Sequence, residues 1–339
     1  MERVWYNSCR HRLCPPCAWR QSERWLLQQK ARLRVCEHYQ VSFPMPDELR
    51  GLWLANSRPM TQRLFATVRE TLCELLGDAT SLGAQAGLIA ALHTWSQTLV
   101  FHPHLHCLVT GGGLTDDGPW RAVRHEFLLP VRGVMAVFRG KRLATLRAGL
   151  AHGQLTLPEG RSCQQMAKLL NKLGRTKGHV HIRERYPHGA GVLTYLARYI
   201  RGGPLANRRL VACENGRVTF RYRGKGAGSD GQRSDLMTLP IEAFMRRYLR
   251  HVPEPGRRGV RGYGLDAPTK GEALAVCRAQ WGQGPVATPA VLDWQTACQD
   301  RGDDHPERCP VCGRRLVCRG VSLPWRMPPP SAIPWEVVA

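Results

Sequence analysis

Acidic residues are scarce in this chain. Its 339 residues carry 26 Asp and Glu against 49 Lys and Arg, a formal net charge of +23 and a pI near 10.2. That imbalance points to a polyanionic partner, and in a protein of this length to nucleic acid rather than an anionic membrane surface. Long hydrophobic runs are also missing. The longest apolar stretch, near residues 84–92, falls far short of the ~20 residues that a membrane span needs, and Met1-Glu2-Arg3-Val4 opens no signal-peptide core. The expectation is a soluble cytoplasmic protein without a membrane partner. There is no internal repeat, and the one low-complexity block is the Pro-rich tail at 324–334, expected to be disordered. A hydrophobic content of 43% still fills a real core in one large or two modest domains, which excludes a disordered polybasic tail.

Cysteine is present but not in a disulfide pattern. Of thirteen cysteines, seven stand apart, at Cys36, Cys73, Cys107, Cys163, Cys213, Cys277 and Cys298. The other six cluster at the ends: Cys9, Cys14 and Cys17, then Cys309, Cys312 and Cys318. Terminal clusters with Cys-x2-Cys steps suggest zinc. At the carboxyl end, His305 or Cys298 could supply a fourth ligand, or the thiols could be free.

The pattern of residues divides the chain into a metal knuckle and helix over 1–35, a core over 36–267, and a carboxyl-terminal region over 268–339. Alternation predicts a strand from Tyr39 to Phe43 that stops at Pro44. Helix is predicted over 49–76, 166–173, 189–203 and 241–249, and strands over 88–92, 98–101, 105–110 and 217–223. The triple glycine Gly111–Gly113 is expected to end its strand, and Gln232-Arg233-Ser234-Asp235 reads as a turn. Charge is uneven along this map, with 22 Lys and Arg against 6 acids between Arg161 and Arg261. Such a segment is either a solvated basic surface or a groove that tracks a phosphate backbone.

Two patterns carry chemistry. In His102-Pro103-His104-Leu105-His106, strand alternation puts His104 and His106 on one face, roughly 6–7 Å apart, where both rings can meet one cation. The plain alternative is histidines that satisfy hydrogen bonds at a sheet edge. Binuclear hydrolase chemistry would need Asp and His directly afterwards, and Cys107-Leu108 stand there instead. A cation site needs a third protein group; a strand–turn–strand favours Gln97, with His93 as the alternative and His102 outside the ligand set. The second pattern is Tyr195-Leu196-Ala197-Arg198-Tyr199. On a helix the two tyrosines are neighbours at i and i+4, and they lie off the stripe formed by Leu193, Leu196, Ala197 and Ile200. They either rim a packing face or act as a nucleophile pair. Tyrosine oxygen is weak at its free pKa of ~10, so phosphodiester attack needs a cation to polarise the phosphorus.

His-Pro-His-x-His, Trp95-Ser96-Gln97 upstream, Tyr195-Leu196-Ala197-Arg198-Tyr199 and Asn207-Arg208-Arg209 together resemble the two-tyrosine HUH transposases of the insertion-sequence ninety-one type. The resemblance spans about Tyr6 to Ala267, including Val41-Ser42-Phe43-Pro44-Met45-Pro46 and Arg261-Gly262-Tyr263-Gly264-Leu265. It implies an α+β fold, an HUH nuclease core with a central antiparallel sheet flanked by helices and small zinc-binding segments at the termini. It also implies Mg²⁺ or Mn²⁺ at His104, His106 and a third ligand, although imidazoles alone would favour Zn²⁺. Tyr195 and Tyr199 would be nucleophiles that nick and rejoin single-stranded DNA of bacterial element ends through 5′-phosphotyrosine intermediates, in rolling-circle fashion. The basic residues Arg198, Arg201, Arg208, Arg209, Arg221, Arg223 and Lys225 would bind the DNA. At the amino end Cys9, His11, Cys14 and Cys17 match the last part of the family's zinc region. The chain starts too late to hold the earlier cysteines, so either His11 completes a Zn²⁺ site or the region is shortened. The competing readings are a rolling-circle replication initiator or relaxase, and a decayed zinc-containing DNA-binding protein without catalysis. Oligomeric state and target sequence leave no trace in the sequence.

Overall fold

In the computed structural model the described residues are 15–124, 127–186, 189–191, 193–194, 204–205, 209–224, 234–254, 256–289, 308–309, 311–315 and 317. They fall in two compact units, one within 7–289 and one within 290–339. In chain order the named elements are α1 Pro15–Arg32, β1 His38–Pro44, α2 Arg50–Ala55, α3 Ser57–Gly77, β2 Gln85–Trp95, β3 Phe101–Leu114, β4 Trp120–Ala122, α4 Val131–Ala151, α5 Cys163–Arg175, β5 His181–Tyr186, β6 Leu210–Glu214, β7 Arg217–Arg223, β8 Ser234–Pro240, α6 Ile241–Leu249, β9 Val260–Gly264 and α7 Gly271–Gln280. The larger unit continues to Pro289, past Ala267, and α7 buries Leu274 and Cys277 within it.

The central sheet is antiparallel throughout, in the order β5-β1-β3-β2-β9 with β4 added to β3. Side-chain alternation gives each strand two faces. One face presents Tyr39, Val41 and Phe43 from β1, Leu88 and Ala90 from β2, and Leu105, Cys107 and Val109 from β3. Helix α3 covers that face with an apolar residue at every fourth position, Met60, Leu64, Val68, Leu72 and Leu76, which is the spacing of a one-sided helix stripe. Helix α4 adds Val134, Phe138, Leu143 and Leu146, and α5 adds Met166, Leu170 and Leu173. Ser162 starts α5 with a capping box to Gln165, satisfying amide groups that a helix leaves open. The opposite face of the sheet carries Ile89, Ala91 and Leu108, packed by Leu26 of α1 and by Leu193. This is the expected α+β architecture of an antiparallel sheet flanked by helices.

Two local expectations change. Gly111–Gly113 do not end β3, which runs on to Leu114. Side chains at Gly112 and Gly113 would strike Trp120 with the Arg121 carbonyl and the Gln85 backbone, so these glycines permit close strand approach. Ser234 and Asp235 are not a turn but the start of β8, with Asp235 opposite Tyr222. The strands β6, β7 and β8 form a second antiparallel sheet. Its first hairpin turns at Asn215-Gly216, both at positive φ, a pairing suited to a tight two-residue turn. Phe220 anchors this sheet against Leu99 and Leu205.

One ion pair ties the sequence ends of the larger unit together. Arg34, just after α1, donates from Nη2 to Asp266 Oδ1 at 2.7 Å beside the end of β9, with the two side chains 1% and 10% exposed. A side chain on Gly87 would collide with both partners. Removing one partner of a buried pair strands the other charge, a loss of about 3–5 kcal/mol. Asp266→Asn is therefore expected to lower the unfolding free energy by about 3 kcal/mol in urea titration. A change under about 1 kcal/mol would show that the pair is dispensable.

Candidate functional site

The β2–β3 pairing decides what meets at the centre of the second sheet face. In its register His93 stands opposite His104, and Ala91 opposite His106. His93 shares its face with Ile89 and Ala91, while His104 and His106 share theirs with Leu108. All three imidazoles consequently converge, with ring centroids 5.1 Å (His93–His104), 4.4 Å (His93–His106) and 4.9 Å (His104–His106) apart. One nitrogen from each ring lies within 4.8 Å of the others, a group able to hold a metal ion.

Hydrogen bonds set the orientation of the rings. His104 Nδ1 lies 2.7 Å from the His102 carbonyl oxygen. A carbonyl only accepts, so Nδ1 carries the proton and Nε2 bears the lone pair. His106 Nδ1 meets Ser42 Oγ at 2.8 Å and the Gln40 carboxamide at 3.1 Å, both from β1; in the tautomer in which the Ser42 hydroxyl and the Gln40 amide oxygen accept from Nδ1, Nε2 of this ring bears the lone pair. Burial pushes His104 down to about 4 against the hydrogen bond to the His102 carbonyl, which favours the charged ring, and pushes His106 down to about 3, with His104 and Arg183 adding to the effect. His93, 1% exposed, is held well below the ordinary imidazole range by the same burial and by the other two rings. The rings are thus neutral at physiological pH and present lone pairs rather than charge. His102 stands outside the trio, its Nδ1 3.3 Å from Asp47, which also accepts from Arg50.

The sequence-preferred third ligand, Gln97, stands elsewhere. It lies exposed in the β2–β3 turn beyond the Trp95–Phe101 pair, and its carbonyl accepts from Arg209. The reason is register: the five residues 96–100 make the turn between the paired Trp95 and Phe101, so the residue brought beside His104 is His93. Arg209 also donates to the Arg221 carbonyl, so its guanidinium braces two backbone segments. Arg221 and Arg223 are exposed on one face of β7.

Tyr195, Tyr199, Arg198, Arg201, Arg208, Lys225, Cys9, His11, Cys14 and Cys318 lie outside the described residues, and Cys17 is described only as backbone within α1. The segment leading to the tyrosines is described as far as Thr194, with Leu193 fully buried against the histidine-bearing face. At the carboxyl end, Cys309 and Cys312 sit in a tight turn closed by the Gly313 amide donating to the Cys309 carbonyl at 2.8 Å and the Cys309 amide donating to the Arg314 carbonyl at 2.8 Å. Amides of Cys312 and Val311 donate to the Cys309 sulfur and hold its thiol below the ordinary range.

A cavity of about 750 Å³ opens beside the histidines, lined also by Ser42, Arg142, Lys177, His181 and Arg183. The sequence reading missed its β5 wall. His179, His181 and Arg183 alternate with Val180 and Ile182, the period of a half-buried strand, and that signal was available. Among the described residues no helix is long and apolar enough to cross a membrane.

Known proteins match most of this chain. The family model described as "Putative transposase" matches residues 87–273, and that of the transposase zinc-binding domain matches residues 1–45. The chain is 32% identical to "Putative transposase y4qJ" of Sinorhizobium fredii (strain NBRC 101917 / NGR234), over 91% of this chain and 79% of that protein. It is 28% identical to the transposase for insertion sequence element IS801 of Pseudomonas savastanoi pv. phaseolicola, over 92% of this chain and 74% of the relative. Among solved structures, TrwC complexed with a 27-mer DNA comprising the recognition hairpin and the cleavage site gives a slight likeness: 16% identity, a TM-score of 0.26, and coverage of 41% of this chain and 66% of that one. The metal-bound conjugative relaxase TrwC with OriT DNA gives the same TM-score at 15% identity, over 48% and 71%. With a transposase model matched over more than half its length and a transposase relative at 32% identity, the chain belongs to the transposase family of the insertion-sequence ninety-one type.

Proposed function

We propose that this transposase nicks and rejoins single-stranded DNA at element ends, with Tyr195 and Tyr199 as nucleophiles and His93, His104 and His106 as the ligands of a divalent cation, Mg²⁺ or Mn²⁺. The observation that carries the reading is the packing of Leu193, two residues before Tyr195, against Ile89, Ala91 and Leu108 on the sheet face that holds the three imidazoles. Neutral His104 and His106, whose Nδ1 atoms face the His102 carbonyl and the Ser42 hydroxyl, suit cation binding through Nε2. A bound cation would supply charge stabilisation on the non-bridging oxygens of the scissile phosphate.

In the proposed step a tyrosine oxygen forms a bond to phosphorus as the bond from phosphorus to the 3′ oxygen breaks. The 5′ end stays on the protein as a phosphotyrosine, and the 3′ oxygen leaves with a proton as a free hydroxyl. A second tyrosine permits another cleavage while the first bond is held, so strand transfer proceeds by exchange of phosphodiesters. Exposed Arg221 and Arg223, with Arg198, Arg201, Arg208 and Lys225, serve backbone binding in this reading, whereas Arg209 is a brace. Zn²⁺ is proposed at Cys9, His11, Cys14 and Cys17, supported by the zinc-binding domain match over residues 1–45. A second Zn²⁺ is proposed at Cys309, Cys312 and Cys318, supported by a tight turn whose amides point at the Cys309 sulfur and hold its thiol below the ordinary range.

Incubation with labelled single-stranded element ends and Mn²⁺ is expected to yield a covalent protein–DNA adduct that survives denaturation. The adduct is lost in the Tyr195→Phe, Tyr199→Phe double variant and in His93→Ala, and is retained in Gln97→Ala. An adduct that persists without both tyrosines would refute the nucleophile assignment, and loss in Gln97→Ala with retention in His93→Ala would refute the ligand assignment. Elemental analysis of the full chain is expected to give two equivalents of zinc, falling to one in the Cys309→Ser, Cys312→Ser double variant. An unchanged zinc content would remove the carboxyl-terminal site.

A further inference from the structure

Charge in the groove beside the histidines is not balanced. Arg142, on α4, is 5% exposed yet lines this groove. Among the described residues no acceptor meets its Nε and no carboxylate pairs with its guanidinium, whose carbon lies 5.2 Å over the Phe138 ring. Its charged neighbour is Arg139, of like sign, and burial with that repulsion lowers its pKa to about 10, so it remains a cation at neutral pH. A buried cation without a counter-charge is costly to the fold and gains most from an anion that enters from outside.

The walls add exposed cations at the sheet edge. Lys177 stands in the loop between α5 and β5, and Arg183 on β5, which is the edge strand of the central sheet. The register carries the arrangement across the strands. Ser42 of β1 pairs with both His106 and His181, and Gln40 pairs with Leu108 and Arg183. Paired residues of antiparallel strands share a face, so His181 and Arg183 stand on the same face as the imidazoles, one strand beyond β1. The acids of the groove are Asp47, already engaged with Arg50 and His102, and the exposed Glu48. Cations strung from the histidines to a sheet edge suit an extended polyanion better than a single phosphate group.

We propose that Arg142, Lys177 and Arg183 form a backbone track that holds the phosphates of single-stranded DNA next to the scissile one, so that the strand leaves the histidine cluster across β1 toward the β5 edge. The track rests on the nuclease reading above but is measured without cleavage. The test is equilibrium binding of a fluorescent single-stranded element end to the full, metal-loaded chain in the Tyr195→Phe, Tyr199→Phe background, over a salt series.

Adding Lys177→Ala with Arg183→Ala is expected to weaken binding roughly tenfold and to flatten the slope of log affinity against log salt by about 1.4, the value for two single-strand phosphate contacts. Arg142→Met is expected to weaken binding while leaving the melting temperature unchanged or raised, because an unpaired buried charge has been removed. A charge-matched control at residues that do not line the groove, Arg69→Ala on α3 with Arg147→Ala on α4, is expected to keep the wild-type slope. Unchanged affinity and slope in the groove variants would overturn the track, as would a fall in melting temperature that accounts for the loss in Arg142→Met. Tighter binding of an RNA of the same sequence, lost in the same variants, would overturn the assignment to DNA. A wild-type chain that forms no adduct but shows these losses would leave the track standing and defeat the nuclease reading. An adduct with unaltered binding in the groove variants would do the reverse.

Discussion

The pairing register of β2 with β3 is the constraint on which the rest depends. Because side chains alternate along a strand, a slip of one residue would turn every side chain of one strand to the other face. The register is held from the far side of the sheet. Leu88, Ala90, Leu105, Cys107 and Val109 are buried under α3, α4 and α5, so only one alignment keeps the apolar set in the core. Given that alignment, His93, His104 and His106 have no choice but to meet. Helix packing on one face thereby builds the polar cluster on the other.

The same sheet separates two electrostatic tasks. Imidazoles kept neutral by burial supply lone pairs in a confined space, where protonated rings would repel a cation. Cationic groups stand at a remove, on β5, on the loop before it and on α4, where they can meet phosphates without competing for the metal. Ser42 and Gln40 lie between the two zones, on the strand whose neighbours are His106 on one side and His181 and Arg183 on the other. Their hydrogen bonds to His106 involve no carboxylate, so the cluster gains orientation without negative charge.

Much of this was legible in the sequence, for identifiable reasons. Strand alternation gave His104 and His106 a common face, and the breaker at Pro44 closed β1 where the structure ends it. The third imidazole was legible only as an alternative, because the choice between His93 and Gln97 depends on hairpin length, and sequence alone does not say where a turn begins. Helix α4 was obscured by Gly133, Gly140 and Gly149 and by Arg142 on its buried side, which dilute an otherwise regular stripe of Val134, Phe138 and Leu146. The glycines of β3 looked like a stop because their use, close approach of Gln85 and Trp120, is a property of neighbours distant in sequence. Arg183 and Lys177 were hidden within a general basic excess, and only the sheet order sets them apart from the other cations.

The central claim is that three imidazoles, brought together by one hairpin register, form the cation site. Anomalous diffraction from crystals of the full chain equilibrated with Mn²⁺ tests it most directly. The account predicts a manganese peak within bonding distance of Nε2 of His93, His104 and His106. A peak bonded to Gln97 in place of His93, or no peak at these histidines under saturating Mn²⁺, would contradict it.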